Sequence, residues 1–253
     1  METVFFTDRG KVRQHNEDSV GVFENKVGVL AIVADGMGGH LAGDVASNMT
    51  ISIFKGLWEK VEKLDNPDQA EKWLIQQINH VNSTLHSHAL SNPDCQGMGT
   101  TFVGAICTDS FTTVGHIGDS RCYLSNSSGF KQITEDHSLV NELVRSGQIS
   151  KEDAEHHPRK NVLLRALGTE KTVDIDVTSI GLDETDSLLL CSDGLSNKLT
   201  EQEMEKTLKA DMSLTEIARS LVNAANENGG EDNISVVIVL QSSIEPKIGD
   251  EPC

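Results

Sequence analysis

The order of the apolar segments constrains the fold more than any other feature of the chain. Short segments rich in β-branched residues recur at Val29–Ala34, Thr101–Cys107, Thr112–Ile117, Cys122–Leu124, Val173–Ile180, Ser187–Cys191 and Ile234–Leu240, and they read as strands. Two helical segments follow the first of them with no strand in between. In one, Val45, Met49, Ile53, Leu57 and Val61 return every four residues, with Phe54 and Trp58 widening the stripe. In the other, from Pro67 to Leu90, Leu74, Ile78, Val81 and Leu85 share a face and Pro67 suits the first turn. The later strands then come in hairpin-like succession, as in Thr112–Ile117, Gly118-Asp119-Ser120-Arg121, Cys122–Leu124. Such an order is not the regular alternation of a doubly wound parallel sheet. It predicts an α+β fold with largely antiparallel sheets covered by helices.

Further helices are expected from Leu139 to Arg145, stopped by Gly147, and from Ser213 to Asn226, where Ser213 and Glu216 match a capping box. Glu201, Glu203 and Glu205 fall on an exposed helix. No internal repeat and no Pro- or Gly-rich linker divides the chain, so a single domain is expected over residues 1–241, followed by a polar, frayed tail at 242–253. No run approaches the ~18 apolar residues of a membrane span, and the N-terminus lacks the features of a secretory leader. A cytoplasmic protein without membrane insertion is expected, with monomer as the default state. The five cysteines have no paired spacing, which fits reduced thiols and offers no zinc site.

Charge narrows the function. The 253 residues carry 39 Asp and Glu against 21 Lys and Arg, a formal net charge of −18. A surface this acidic repels phosphate backbones and argues against nucleic-acid binding. Cations are its natural partners. Four of the acidic residues share a setting: Asp35 follows an apolar run and precedes Gly36-Met37-Gly38-Gly39-His40, and Asp193 follows Leu188-Leu189-Leu190-Cys191-Ser192 and precedes Gly194. Asp119 sits in Gly118-Asp119-Ser120, while Asp232, in Gly229-Gly230-Glu231-Asp232-Asn233, stands just before a strand. One Asp beside Gly is ordinary turn chemistry. Four carboxylates gathered at strand ends would repel one another, and metal ions relieve that repulsion. Ligands that are all hard oxygens favour Mg²⁺ or Mn²⁺ over zinc or copper. Upstream, Arg13-Gln14-His15-Asn16-Glu17-Asp18 offers a guanidinium suited to bidentate phosphate capture and two more carboxylates.

Other chemistries are absent. No Cys is followed six residues later by Arg, so there is no cysteine-phosphatase loop, and no P-loop, G-x-G-x-x-G or G-x-S-x-G string occurs. Cys191 lies in an apolar run and reads as a buried, inert thiol.

Together these strings resemble the metal-dependent protein phosphatases of the PP2C (PPM) family. The matching motifs run in family order: Arg13…Asn16-Glu17-Asp18, Asp35-Gly36-Met37-Gly38-Gly39-His40, Gly97-Met98-Gly99-Thr100-Thr101, Gly118-Asp119-Ser120-Arg121, Thr134-Glu135-Asp136-His137-Ser138, Ala166-Leu167-Gly168, Ser192-Asp193-Gly194-Leu195 and Gly229-Gly230-Glu231-Asp232-Asn233. The size looks most like the stand-alone bacterial members paired with membrane Ser/Thr kinases in Gram-positive bacteria.

The resemblance implies a central β-sandwich flanked by helices on both faces, with a metal cluster at one end. By residue, it implies that Asp35 bridges two metals, that the Gly36 carbonyl binds the second, and that Asp193 and Asp232 hold the first. Asp18 would support the second through its waters, and a third, weaker ion would involve Asp119 with Asp193. Arg13 would bind the substrate phosphate and His40 would be the general acid. The implied reaction is hydrolysis of phosphoserine and phosphothreonine in proteins by a metal-bridging water or hydroxide, opposing a cognate Ser/Thr kinase.

The family also has a mobile flap near Arg145–Arg165, a locally basic stretch here that lacks a sustained apolar period. Its His156, His157, Arg159 and Lys160 are expected to contact phosphoprotein substrates. The alternatives are a phosphatase for small phosphate esters, a catalytically dead phosphate-binding domain and a metal buffer. A dead domain would be expected to lose ligands that are present here, and a buffer would not require Arg13 or His40.

Overall fold

The computed structural model describes residues 1–39 and 42–241. The expected tail at 242–253 lies outside the described residues. The chain begins with three strands, β1 (Glu2–Asp8), β2 (Asp18–Asn25) and β3 (Gly28–Met37), then helices α1 (Ala42–Trp58) and α2 (Pro67–Ser91). After a 3-10 turn at Pro93–Cys95 come β4 (Gly99–Thr100), β5 (Phe102–Cys107), β6 (Thr112–Ile117), β7 (Arg121–Asn126) and β8 (Gly129–Gln132). Helices α3 (Leu139–Arg145) and α4 (Lys151–Glu155) lead to β9 (Asp176–Ile180) and β10 (Ser187–Cys191). The chain closes with α5 (Asp193–Ser196), α6 (Glu201–Leu208), α7 (Leu214–Glu227) and β11 (Ile234–Leu240).

The apolar runs become the middles of two antiparallel sheets, ordered β1-β11-β10-β7-β8 and β2-β3-β5-β6-β9, with β4 added beside β3. Strand alternation divides each run between two cores. Val29, Ala31 and Val33 of β3 face Leu188, Leu190, Val237 and Val239 of the other sheet and fill the interior of a sandwich. Leu30 and Ile32 point outward instead, against Phe54, Trp58, Leu74, Ile78 and Leu85 of α1 and α2. On the opposite side Leu189, Cys191, Val236 and Ile238 meet Ile217, Leu221, Val222 and Ala225 of α7. The fold is therefore the expected α+β sandwich with helices on both faces.

Several local expectations change. In α1 the fully buried face is Ala42, Gly43, Ala46, Ser47, Thr50, Phe54 and Trp58, one position round from the Val45, Met49, Ile53, Leu57 stripe. Small residues win that face because the helix lies directly on β3: a Cβ on Gly43 would come 2.7 Å from the Gly36 carbonyl carbon. The strand expected from Val173 begins only at Asp176, where pairing with β6 starts opposite His116. β1, β2 and β8 carry too many polar residues to stand out by apolar runs. The stretch after Arg145 is not all loop, for α4 forms there, capped by Ser150 and Asp153 in a capping box.

Candidate metal centre

The acidic residues meet where the inner columns of the sandwich run out. Asp35 lies inside β3, two residues beyond Val33 on the same face, rather than past the strand's end, and it pairs in register with Asp18 of β2. Across the sandwich, Ser192 and Asp193 follow β10 and Asp232 precedes β11. Asp119 sits in the turn between β6 and β7. Both sheets thus contribute carboxylates to one end.

Close backbone approach holds them there. A Cβ on Gly36 would fall 2.2 Å from the Gly43 carbonyl oxygen and 2.6 Å from that of Glu17. One on Gly194 would fall 1.9 Å from the Asn233 carbonyl oxygen, so only glycine lets α5 lie against the start of β11 and bring Asp193 beside Asp232.

Uncharged side chains complete the frame. Ser192 Oγ donates to Asp18 Oδ2 at 2.7 Å and accepts from the Ser235 N–H at 3.0 Å. The Asp35 N–H donates to Thr101 Oγ1 at 2.9 Å, and Thr101 Oγ1 lies 2.7 Å from Ser120 Oγ, which links Asp35 to the Asp119 turn. Asn233 accepts from the Glu17 N–H and donates to the carbonyls of Arg9 and His15, pinning the Arg13 loop to β11. Sequence reasoning did not single out Ser192, Thr101 or Asn233; their only signal was membership of the quoted motifs.

The electrostatics are those of a site that needs cations. Burial, partly offset by bonds from Ser235 and Ser192 and reinforced by Asp193 and Asp232, pushes the Asp18 carboxyl up to about 7. Burial and then Asp193 push Asp119 up to about 7 as well. Asp35 stands well above the ordinary carboxylate range, from burial followed by repulsion from Asp18, Asp193, Asp119 and Asp232. Asp193 is raised by burial and by Asp232. One oxygen, Asp18 Oδ1, is buried with no hydrogen-bond partner among the described residues. Hard divalent cations fit this donor set, because each added positive charge lowers the cost of ionising every carboxylate around it.

Arg13 and Asp232 are paired with one another, Nη2 to Oδ2 at 2.7 Å, with 50% and 36% of their side-chain surfaces exposed. Such an exposed pair is worth about 0–1 kcal/mol, so either partner can exchange for another ligand at small cost. His40 lies outside the described residues. From the flap, His156 and Lys160 line a cavity of about 1000 Å³ that also holds Asp119 and Asp193. His157 and Arg159 do not line it. A separate group, His116, His137 and Asp176, brings three candidate ligand atoms within 4.8 Å of one another. Arg165 Nη1 already reaches into it, 3.2 Å from Asp176 Oδ1 and 3.3 Å from His137 Nε2, so the chain's own cation occupies that position.

A family profile described as protein phosphatase 2C matches residues 8–235. The chain belongs to the protein phosphatase 2C family. The serine/threonine phosphatase stp of Listeria welshimeri is 51% identical over 246 residues, spanning 97% of this chain and 98% of that one. Among solved structures, the serine/threonine phosphatase Stp1 of Staphylococcus aureus superposes with a TM-score of 0.91 at 38% identity, covering 96% of this chain and 95% of its own. The catalytic domain of the phosphatase PstP, solved in complex with two manganese ions, gives a TM-score of 0.81 at 33% identity over 94% and 96% of the two chains. The 2C fold accounts for the sandwich and its helical layers, and membership of the family brings metal dependence with it.

Proposed function

We infer that this chain is a metal-dependent protein serine/threonine phosphatase whose reaction takes place at the acidic end of the sandwich. The observation that carries the reading is the convergence there of Asp18, Asp35, Asp119 and Asp193, with Asp18 Oδ1 buried and unpartnered among the described residues. Asp35, the Gly36 carbonyl, Asp193 and Asp232 would hold two Mn²⁺ or Mg²⁺ ions, Asp18 would support them, and Asp119 with Asp193 would take a third, weaker one. When bound, such ions screen the charge of a phosphomonoester dianion and acidify the water that attacks phosphorus.

The chain's own groups do the rest. Arg13, exposed at the rim, would leave Asp232 for the phosphoryl oxygens, which its planar fork matches. Ser192, Thr101 and Asn233 hold the carboxylates and the Arg13 loop in place through the bonds described above, so little reorganisation is left to substrate binding. The proton for the departing Ser or Thr oxygen is assigned to His40 on family resemblance. On the same ground we take the chain to act in the cytoplasm, as a monomer, in a domain spanning residues 1–241, on phosphoproteins made by a cognate Ser/Thr kinase.

The test is hydrolysis of a phosphothreonine peptide with Mn²⁺, with EDTA, and in Asp35→Asn and Asp193→Asn variants. Turnover with Mn²⁺, and its loss with EDTA and in each of the two variants, is expected. Turnover that survives both chelation and substitution would refute the assignment.

A further inference from the structure

Beyond the carboxylates lies a wall of the same cavity that the phosphatase reading leaves unused. Among the described residues β8 ends its sheet, with β7 on one side and no strand on the other. The two strands are joined by a two-residue turn at Ser127 and Ser128, with Asn126 opposite Gly129, Ser125 opposite Phe130, Leu124 opposite Lys131 and Tyr123 opposite Gln132. The Ile133 N–H donates to the Cys122 carbonyl at 2.7 Å, which fixes the phase of the ladder. In an antiparallel pair the bonded residues alternate, so Gly129 and Lys131 turn their backbone groups to β7 while Phe130 and Gln132 turn theirs outward.

No hydrogen bond from the described residues reaches the backbone of Phe130 or Gln132. Their side chains are anchored nonetheless: the Phe130 ring stacks on Tyr123 at 4.9 Å and Gln132 Nε2 donates to Asp136 at 3.0 Å. The edge is therefore anchored, half-buried with α6 packed against the strand, and its outward backbone groups are unpaired among the described residues.

What it opens into is the cavity of about 1000 Å³ that contains Asp119 and Asp193, with Val140, Val144 and Ala154 of α3 and α4 across it. That volume stands at the top of the range for small-molecule pockets and suits a stretch of polypeptide. The other sheet ends, β1, β2 and β9, do not line this cavity. Lys131, Lys151 and Lys160 also line it, as do Glu135 and Glu201, and none of the five has an ion-pair partner among the described residues, so the three lysines outnumber those two carboxylates there in a chain whose net charge is −18.

We propose that the phosphoprotein substrate docks as an extended strand beside β8, adding to the sheet through the outward backbone groups of Phe130 and Gln132. Its phosphorylated residue then reaches the carboxylate cluster, and acidic residues flanking it meet Lys131, Lys151 and Lys160. Main-chain bonds would give affinity without demanding one sequence, while the lysines would select acidic segments. This inference rests on the phosphatase reading of the same site.

A phosphothreonine peptide with acidic flanks, N-methylated at one backbone amide at a time, tests it on the unaltered protein with Mn²⁺. Strand pairing predicts losses in kcat/KM of about 2- to 10-fold at alternate positions and little change at those between them. Uniform losses, or none, overturn the proposal. In the protein, Gln132→Pro deletes the outward N–H without touching the ladder to β7. It is expected to lower kcat/KM about 2- to 10-fold more for the peptide than for p-nitrophenyl phosphate, and Gln132→Ala, which keeps the N–H, is not. Equal behaviour of the two variants counts against docking. So does a wild-type dimer that Gln132→Pro dissociates, since the edge would then serve a second copy. If neither peptide nor p-nitrophenyl phosphate is hydrolysed, the phosphatase reading itself fails and the docking falls with it.

Discussion

Removing the hydroxyl of Ser192 would leave Asp18 Oδ2 without its donor at 2.7 Å and the Ser235 N–H without its acceptor. Groups that orient metal ligands commonly carry 10- to 100-fold of metal affinity, so Ser192→Ala is expected to weaken Mn²⁺ binding by roughly that factor, measured by calorimetric titration. Unchanged affinity would mean that Asp18 is positioned by its strand alone. Gly194→Ala acts differently, by sterics. Its new Cβ would start 1.9 Å from the Asn233 carbonyl oxygen, and the shift needed to relieve that contact should destabilise the fold by about 1–3 kcal/mol in urea denaturation. At this scale the acidic residues were legible because Asp beside Gly at strand ends is an uncommon pattern when repeated. Ser192, Thr101 and Asn233 were not, because a buried hydroxyl or amide has the same letter in the sequence as one facing water, and only its partners distinguish it.

Among the elements, α1 separates what periodicity reveals from what it hides. Of the residues whose spacing announces the helix, Phe54 and Trp58 are fully buried together with Ala46 and Thr50, while Val45, Met49 and Ile53 are only partly covered. Phe54 stacks on Phe102 at 4.8 Å and meets Trp73 edge-on at 6.3 Å. Phe54→Ala is therefore expected to cost about 3–5 kcal/mol of stability, and Ile53→Ala, on the partly covered flank, no more than about half of that, by denaturant titration. Equal costs would place Ile53 in the core on a par with Phe54. The long strands and the capped helices α2, α3 and α7 were legible from apolar runs, Pro67 and the Ser213–Glu216 pair. The strands β1, β2 and β8 were not, since each mixes polar residues with apolar ones and draws its place from pairing partners far along the chain.

For the molecule as a whole, the carboxylate cluster makes stability depend on pH and metal together. With no ion bound, Asp18 and Asp119 titrate near 7 in the folded chain, against an ordinary value of 3.8. The folded state then holds more protons than the unfolded one between those limits, so its stability falls as pH rises from about 4 to about 7. EDTA-treated protein should show that decline in its thermal midpoint. Mn²⁺ at a hundred times its dissociation constant should offset it by about 2.7 kcal/mol at pH 7, and less at pH 5, where protons compete for the same oxygens. A midpoint indifferent to both would mean that the carboxylates are not the site of binding. The net charge of −18 is thus no obstacle to a phosphorylated substrate, because its densest part is the part that cations offset.

The inward column of β3 carries a further consequence. Val29, Ala31, Val33 and Asp35 share one face, so the residues that fill the sandwich and the carboxylate at its acidic end are counted along the same strand. Because side chains alternate strictly, inserting or deleting one residue between Val29 and Ala34 turns Asp35 toward the helices while it drives Leu30 or Ile32 into the wrong layer. A length change within β3 therefore disturbs interior and acidic end together, and a lineage cannot move Asp35 along the strand gradually while keeping a sound core.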